Sequence, residues 1–299
     1  MMLLSNPITV KELRSRMRGL RAILPMMAYL IVLGVFVLMT FADYGARMQY
    51  QLLETSGRSL GFTLLLIQVL LVLILSPAYA ASAITVEKER QTFGVMLTTL
   101  LTSWDIVAGK VFSGISYATL LVLSSLPLLS LSFWMGGFDF VHLLWGFLII
   151  ATCALVVTSL GILLSTVLKR SYLATGVTYG VVLAGVAFSY IFREVAGLWT
   201  HARGTAVANF SWDTIPFWLS YTLNPFFMLE AIDLGDVSNY STGGGGFYNN
   251  PLIDSLHREL AALHVPYVAV HVVLSVLLAT ILLMLASHFL FAYSREGRT

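Results

Sequence analysis

Six stretches of this chain run without a single charged residue, over 22–42, 60–84, 111–138, 140–168, 171–192 and 260–294. Each exceeds the roughly 20 residues that an α-helix needs to cross a hydrocarbon core about 30 Å thick. In such a core every backbone N–H and C=O has to find its partner inside the protein, which makes helix the structure an isolated apolar run adopts there. The composition agrees: 58% of the residues are apolar and 11% charged, against about 25% charged in an average soluble domain. The expected fold is an all-α polytopic membrane protein with six transmembrane helices, forming one domain over 1–299. A seventh apolar run, 214–229, contains Pro216 and Asn224-Pro225. It is too short to span and is expected to form re-entrant or interfacial helices before the sixth crossing.

Orientation follows from the basic residues, because Lys and Arg accumulate on the cytoplasmic side. With both termini cytoplasmic, the inner side holds Lys11, Arg14, Arg16, Arg18, Arg21, Lys88, Arg90, Lys110, Lys169, Arg170, Arg295 and Arg298. The outer side then holds only Arg47, Arg58, Arg193, Arg203 and Arg258. Both ends are therefore expected inside, and the segment 193–265 outside. A basic stretch precedes the first apolar run, which is itself long enough to span, so no cleavable signal is expected. The net charge of +2 gives no reason to expect nucleic acid. Cys153, the single cysteine, lies inside the fourth run and is expected to be buried, with no partner for a disulfide within the chain.

Two polar segments carry helical periodicity. At 100° per residue, Lys11, Arg14, Arg18 and Arg21 share one face, while Leu13, Met17, Leu20 and Leu24 form a separate stripe. An interfacial helix over 5–21 is expected, with its cations against anionic membrane lipid. The segment 86–104 is too polar for the bilayer, yet Val95, Met96, Leu97, Leu100 and Leu101 are many for a solvated linker. A short amphipathic helix docking on a soluble partner satisfies both facts.

No catalytic, cofactor-binding or metal-binding residue is assigned. A phosphate-cradling loop needs G-x-x-x-x-G-K-[ST]; Gly109-Lys110 is followed by Val111 and preceded by Trp104 where the first glycine belongs, and Gly243 to Gly246 lacks the lysine. There is no H-E-x-x-H, and no acidic residue lies within a spanning run to relay protons. His142, His271 and His288 sit near the ends of their runs and are expected to pack at the interface. Ser76-Pro77 and Ser124-Ser125-Leu126-Pro127 predict kinks in the second and third spans. Gly176 and Gly180 make a small-x-x-x-small pair suited to close helix packing, within or between protomers. The outer segment is aromatic in its first half, including Trp199, Trp212, Phe217, Trp218 and Phe226. Asn209-Phe210-Ser211 and Asn239-Tyr240-Ser241 match the glycosylation pattern.

The loop reads Glu87-Lys88-Glu89-Arg90-Gln91-Thr92-Phe93-Gly94-Val95-Met96-Leu97-Thr98-Thr99-Leu100-Leu101-Thr102, then Ile106-Val107-Ala108-Gly109-Lys110. It resembles the first cytoplasmic loop of the permease subunits of ABC-2 type ABC transporters, approximately E-(R/K)-E-R-G-T-L-(E/D)-L-L-L-x-T-P-(L/V)-S followed by a hydrophobic pair and G-K. Asn6-Pro7-Ile8 with Lys11-Glu12-Leu13-Arg14 before the first span, and Asn224-Pro225-Phe226 before the last, are similar to that family too. Gln91 departs from the usual Gly, Gly94 from an acidic residue and Leu100 from Pro. The last change removes a helix stop, so the loop helix is expected to run on toward Trp104.

What the resemblance implies is a coupling helix over 86–104 between the second and third spans, docked in a groove of a separate cytosolic ABC ATP-binding subunit. The residues that match the motif are Glu87, Glu89, Arg90, Thr92, Leu97, Thr99 and Leu101. ATP and Mg would reside on that partner, with none in this chain. A second permease chain, identical or homologous, would complete the pathway, and short re-entrant helices would close its outer exit, placing Phe217, Trp218, Asn224, Pro225, Phe226 and Phe227 at an outer gate. The implied setting is a bacterial inner membrane and the implied function ATP-driven export. An ATP-independent secondary transporter or channel, or an ABC-type module that drives an assembly, are the alternatives. The first would call for ionisable residues in the spans or an inverted repeat.

Overall fold

The computed structural model describes residues 20–46, 53–93, 102–136, 138–203, 215–233 and 267–296. Its elements are α1 (Leu20–Ala46), α2 (Leu53–Ala80), α3 (Thr85–Glu89), α4 (Ser103–Ser124), α5 (Leu126–Met135), α6 (Phe140–Val167), α7 (Ser171–Arg203), α8 (Ile215–Leu223), α9 (Pro225–Asp233) and α10 (Tyr267–Glu296). Among the described residues six helices, α1, α2, α4, α6, α7 and α10, are long and apolar enough to cross a membrane. Residues 5–19 lie outside the described set, and Leu20 and Arg21 already belong to α1.

The long helices are not equivalent. In α2, α4 and α6 the most apolar window is 56% buried within the protein, whereas in α1, α7 and α10 it is 17%, 17% and 22%. α6 is the centre, packed against α10, α2, α4, α7 and α9. Helices with so little internal burial present apolar side chains outward, such as Ile31 and Leu38 on α1 or Leu183 and Ile191 on α7. Gly161 lets the end of α2 approach α6, since a Cβ there would come within 2.7 Å of the Ala80 Cβ and 3.0 Å of the Ala81 backbone nitrogen. Gly176 and Gly180 behave differently: a Cβ at either meets nothing within 4 Å, so among the described residues neither is closely packed against another helix.

The third apolar run is not one helix. α4 starts at Ser103, ahead of the run, and stops at Ser124, and α5 begins after the turn at Ser125 with Pro127 in its first turn. Pro127 has no N–H to offer the Leu123 carbonyl four residues back, and two serine hydroxyls bond the carbonyls just before it: Ser124 Oγ donates to the Leu121 carbonyl and Ser125 Oγ to the Val122 carbonyl, both at 2.6 Å. Gln68 Nε2 in turn donates to Ser125 Oγ at 2.9 Å. Pro77 stays inside α2, and the Tyr179 hydroxyl of α7 donates to the Ile74 carbonyl beside it.

The segment 86–104 is likewise divided. α3 ends at Glu89; Gln91 N–H donates to the Lys88 carbonyl at 3.1 Å and Thr92 N–H to the Glu87 carbonyl at 3.0 Å, with Gln91 at φ 57. That pair of bonds around a left-handed residue is a Schellman ending. Thr102, with ψ 157, is extended and caps α4: its backbone N–H donates to Asp105 Oδ2 at 3.0 Å and its Oγ accepts the Asp105 N–H at 3.2 Å. A helix continuing from Val86 to Trp104 is therefore excluded at both places, and residues 94–101 lie outside the described set.

Candidate functional site

Residues singled out by the sequence gather at the two ends of α7. At its start lies the turn that joins α2 to α4 through α3. The Ile84 and Thr85 N–H groups both donate to Ser165 Oγ on α6 at 2.9 Å. From that anchor three successive charged side chains diverge. Glu87 accepts from Lys110 Nζ of α4 at 3.0 Å, and the same ammonium donates to the Ala83 carbonyl at 2.7 Å. Lys110 has no exposed side-chain surface, and Glu87 retains 20%. Lys88 Nζ donates to the carbonyls of Ser165 (3.1 Å), Thr166 and Leu168 (3.2 Å). Those carbonyls close the last turn of α6, where acceptors lack intrahelical donors and a cation is favoured by the helix dipole. Glu89 accepts the Ser171 N–H at 2.7 Å and its hydroxyl at 3.0 Å, placing a carboxylate on the first turn of α7.

Glu87, Lys88 and Glu89 thus reach three different helices, Lys110 within α4, the end of α6 and the start of α7, and α3 is a node that ties them together. Arg90, Gln91 and Thr92 turn outward and are exposed, whereas Phe93 folds back to be buried beside Ile84, Ile106 and Val107. Of the expected docking residues, Glu87 is turned inward and Glu89, although exposed, is held by Ser171; Arg90 and Thr92 are on the open surface; Leu97, Thr99 and Leu101 lie outside the described residues.

The other end of α7 holds the α8–α9 hairpin. The motif Asn224-Pro225 is its hinge: Asn224 Oδ1 accepts the Phe226 N–H at 2.9 Å, capping α9, and Pro225 occupies the first helical position, where a missing N–H costs nothing. Asn224 Nδ2 also donates to Ser189 Oγ of α7 at 2.6 Å. Phe227 is wholly buried, stacked on Tyr221 at 4.9 Å and edge-on to Tyr190 at 4.7 Å. Arg193 lies 4.7 Å above the Phe227 ring and 3.9 Å from Glu230, closing one side of a ≈ 370 Å³ cavity that Phe226 also lines. Phe226 and Trp218 are half-buried against the core. Phe217 belongs to α8, and its side chain is outside the described residues.

His271 joins the hairpin to two long helices. It is buried within the protein, with Nδ1 2.6 Å from the Thr222 carbonyl of α8 and Nε2 3.2 Å from Thr152 Oγ of α6. A carbonyl only accepts, so Nδ1 carries the proton, and the ring fixes the hairpin to α10 and α6. Cys153 is buried, as expected. Among the described residues no group of three or more His, Cys, Asp or Glu could hold a metal ion.

Sequence reasoning missed Lys110, Ser165, Ser171, Arg193 and His271 as site residues. Lys110 had a signal, being a lone cation at the head of an apolar run; the serines had none, because their partners are far along the chain. The chain matches no protein-family model, and no curated protein matches it.

Proposed function

We propose that this chain is the transmembrane permease subunit of an ATP-driven exporter, paired with a second permease chain and worked by separate ATP-binding subunits that carry ATP and Mg. Its setting would be a bacterial inner membrane, with both termini and the α3 turn on the cytoplasmic side. The observation that supports this reading is the node at α3. Three consecutive charges hold Lys110 in α4, the end of α6 and the start of α7, while Arg90, Gln91 and Thr92 face outward from the same turn. A force applied to that exposed turn is delivered to three helices at once. One of them, α7, meets the α8–α9 hairpin at its far end through Ser189 and Arg193. From Ser171 to Arg193 is roughly 33 Å at 1.5 Å per residue, about the thickness of a bilayer core. The reading assigns the hairpin, with Trp218, Asn224, Phe226 and Phe227, to the outer exit.

The test is affinity capture of the tagged chain from its own membranes, with the ATP-binding subunit identified in the eluate. Arg90→Glu combined with Thr92→Glu alters the exposed turn, at the loss of only the long 3.4 Å bond from Thr92 Oγ to the Glu87 carbonyl, and should release that subunit while the chain remains inserted. Capture of no ATP-binding protein by the wild-type chain would refute the ATP-driven reading.

A further inference from the structure

A cavity of ≈ 490 Å³ lies between α6, α7, α10 and the α8–α9 hairpin. That is the size of a small-molecule site, which typically spans about 300–1,000 Å³. None of its lining residues is charged, and most are aliphatic, with Val157, Leu160, Val182 and Leu278 typical of the wall. Three of its polar side chains are engaged with the protein itself: Asn224 with Ser189 and the Phe226 N–H, Ser189 with the Val186 carbonyl at 2.8 Å, and His271 with Thr222 and Thr152; Ser220, Ser275 and Cys153 add two small hydroxyls and a thiol to the wall. An occupant therefore meets mostly hydrocarbon. The mouth is rimmed by Val181, Phe188 and Leu219, which are 46%, 59% and 42% exposed on the outer faces of α7 and α8. Gly185 makes the room, since a Cβ there would meet nothing within 4 Å.

We propose that this cavity is a lipid-chain site: one hydrocarbon chain of a membrane lipid enters sideways between α7 and the hairpin and packs under Leu223 and Pro225. Empty, the cavity would leave its wall without dispersion partners, and a chain from the surrounding bilayer restores them with no hydrogen bond or charge to satisfy. The site rests on reading the six long helices as membrane spans; it does not depend on an ATPase. Because the occupant touches both α7 and the hairpin, it holds the hairpin in the position seen here.

The experiment uses the full chain in phosphatidylcholine nanodiscs containing a phospholipid with a diazirine in its acyl chain, with cross-links mapped by peptide mass spectrometry. Cys153, Val157 and Ser275 line the cavity but are only 6%, 5% and 2% exposed, so bulk lipid cannot reach them. They should label in the wild type, alongside the outward face of α1 at Ile31 and Phe36. Gly185→Phe fills the open space and should abolish labelling of the three while leaving α1 labelled; Gly185→Leu, the smaller replacement, should reduce it if the phenylalanine variant does not elute as the wild type does. Wild-type labelling confined to outward faces, or unchanged labelling of the wall in the glycine variants, would overturn the site. No labelling of α1 would instead remove the membrane reading on which the site stands.

Discussion

A lysine without exposed side-chain surface tolerates the loss of its counterion poorly, and Lys110 is in that position opposite Glu87. Glu87→Ala takes the carboxylate from a buried ammonium that keeps its bond to the Ala83 carbonyl, and should cost about 3 kcal/mol. Lys110→Met removes the wholly buried charge at its source and leaves Glu87, whose side chain keeps 20% of its surface exposed, so its cost should be smaller, and Glu87→Gln with Lys110→Met should recover part of the loss. Detergent-solubilised variants compared by denaturant unfolding, followed by tryptophan fluorescence, decide the order; equal losses for the two single variants would contradict the burial argument. Gln91 has the opposite character. It occupies a left-handed conformation that costs a residue with a Cβ about 1–2 kcal/mol, so Gln91→Gly should stabilise the turn by about 1 kcal/mol in the same assay. This is also the position where the resembling loop motif carries Gly, and the Schellman ending supplies the physical reason for a glycine there.

At the scale of elements, close approaches and hinges separate tolerant from intolerant positions. Gly161→Val drives a branched side chain into the Ala80–Ala81 backbone and should prevent α2 and α6 from seating. Gly180→Val adds the same atoms where nothing lies within 4 Å and should leave the isolated chain intact. The check is the fraction eluting as a monodisperse species after extraction. The α8–α9 hinge offers a second contrast: Asn224→Ala loses both the α9 cap and the bond to Ser189, a cap alone being worth about 1 kcal/mol. Asn224→Asp keeps the capping oxygen but cannot donate to Ser189, so it should fall between wild type and alanine. The division of the 86–104 segment was half legible. Thr102-x-x-Asp105 is a readable capping pattern, whereas a helix stop at Gln91 carried no signal, because glutamine rarely takes a positive φ.

On the scale of the whole molecule, the two sites lie at opposite ends of α7, and that separation fixes a topology that can be measured. A cysteine at Thr92 should resist an impermeant thiol reagent applied to intact cells, and one at Glu194, whose side chain is 71% exposed, should react. Reaction at both positions from outside would contradict a membrane lying between them. The peripheral helices carry the remaining question of assembly: α1, α7 and α10 expose long apolar faces, which a bilayer or a second chain has to cover.

What the sequence determined by itself is what depends on counting along the chain. Charge-free runs longer than a bilayer is thick dictate six long helices, prolines dictate where the third is interrupted, and Asn224-Pro225 dictates a hinge, because each effect is local to the backbone that carries it. Only the tertiary structure decided which charges meet. Glu87, Lys88 and Glu89 look from the sequence like one polar face awaiting a partner, yet they reach Lys110, the end of α6 and the start of α7, groups 23 to 82 residues away. It likewise decided that α6 is central while α7 is peripheral, since both contain a stretch apolar enough to span a membrane and an apolar surface alone does not distinguish a neighbouring helix from lipid.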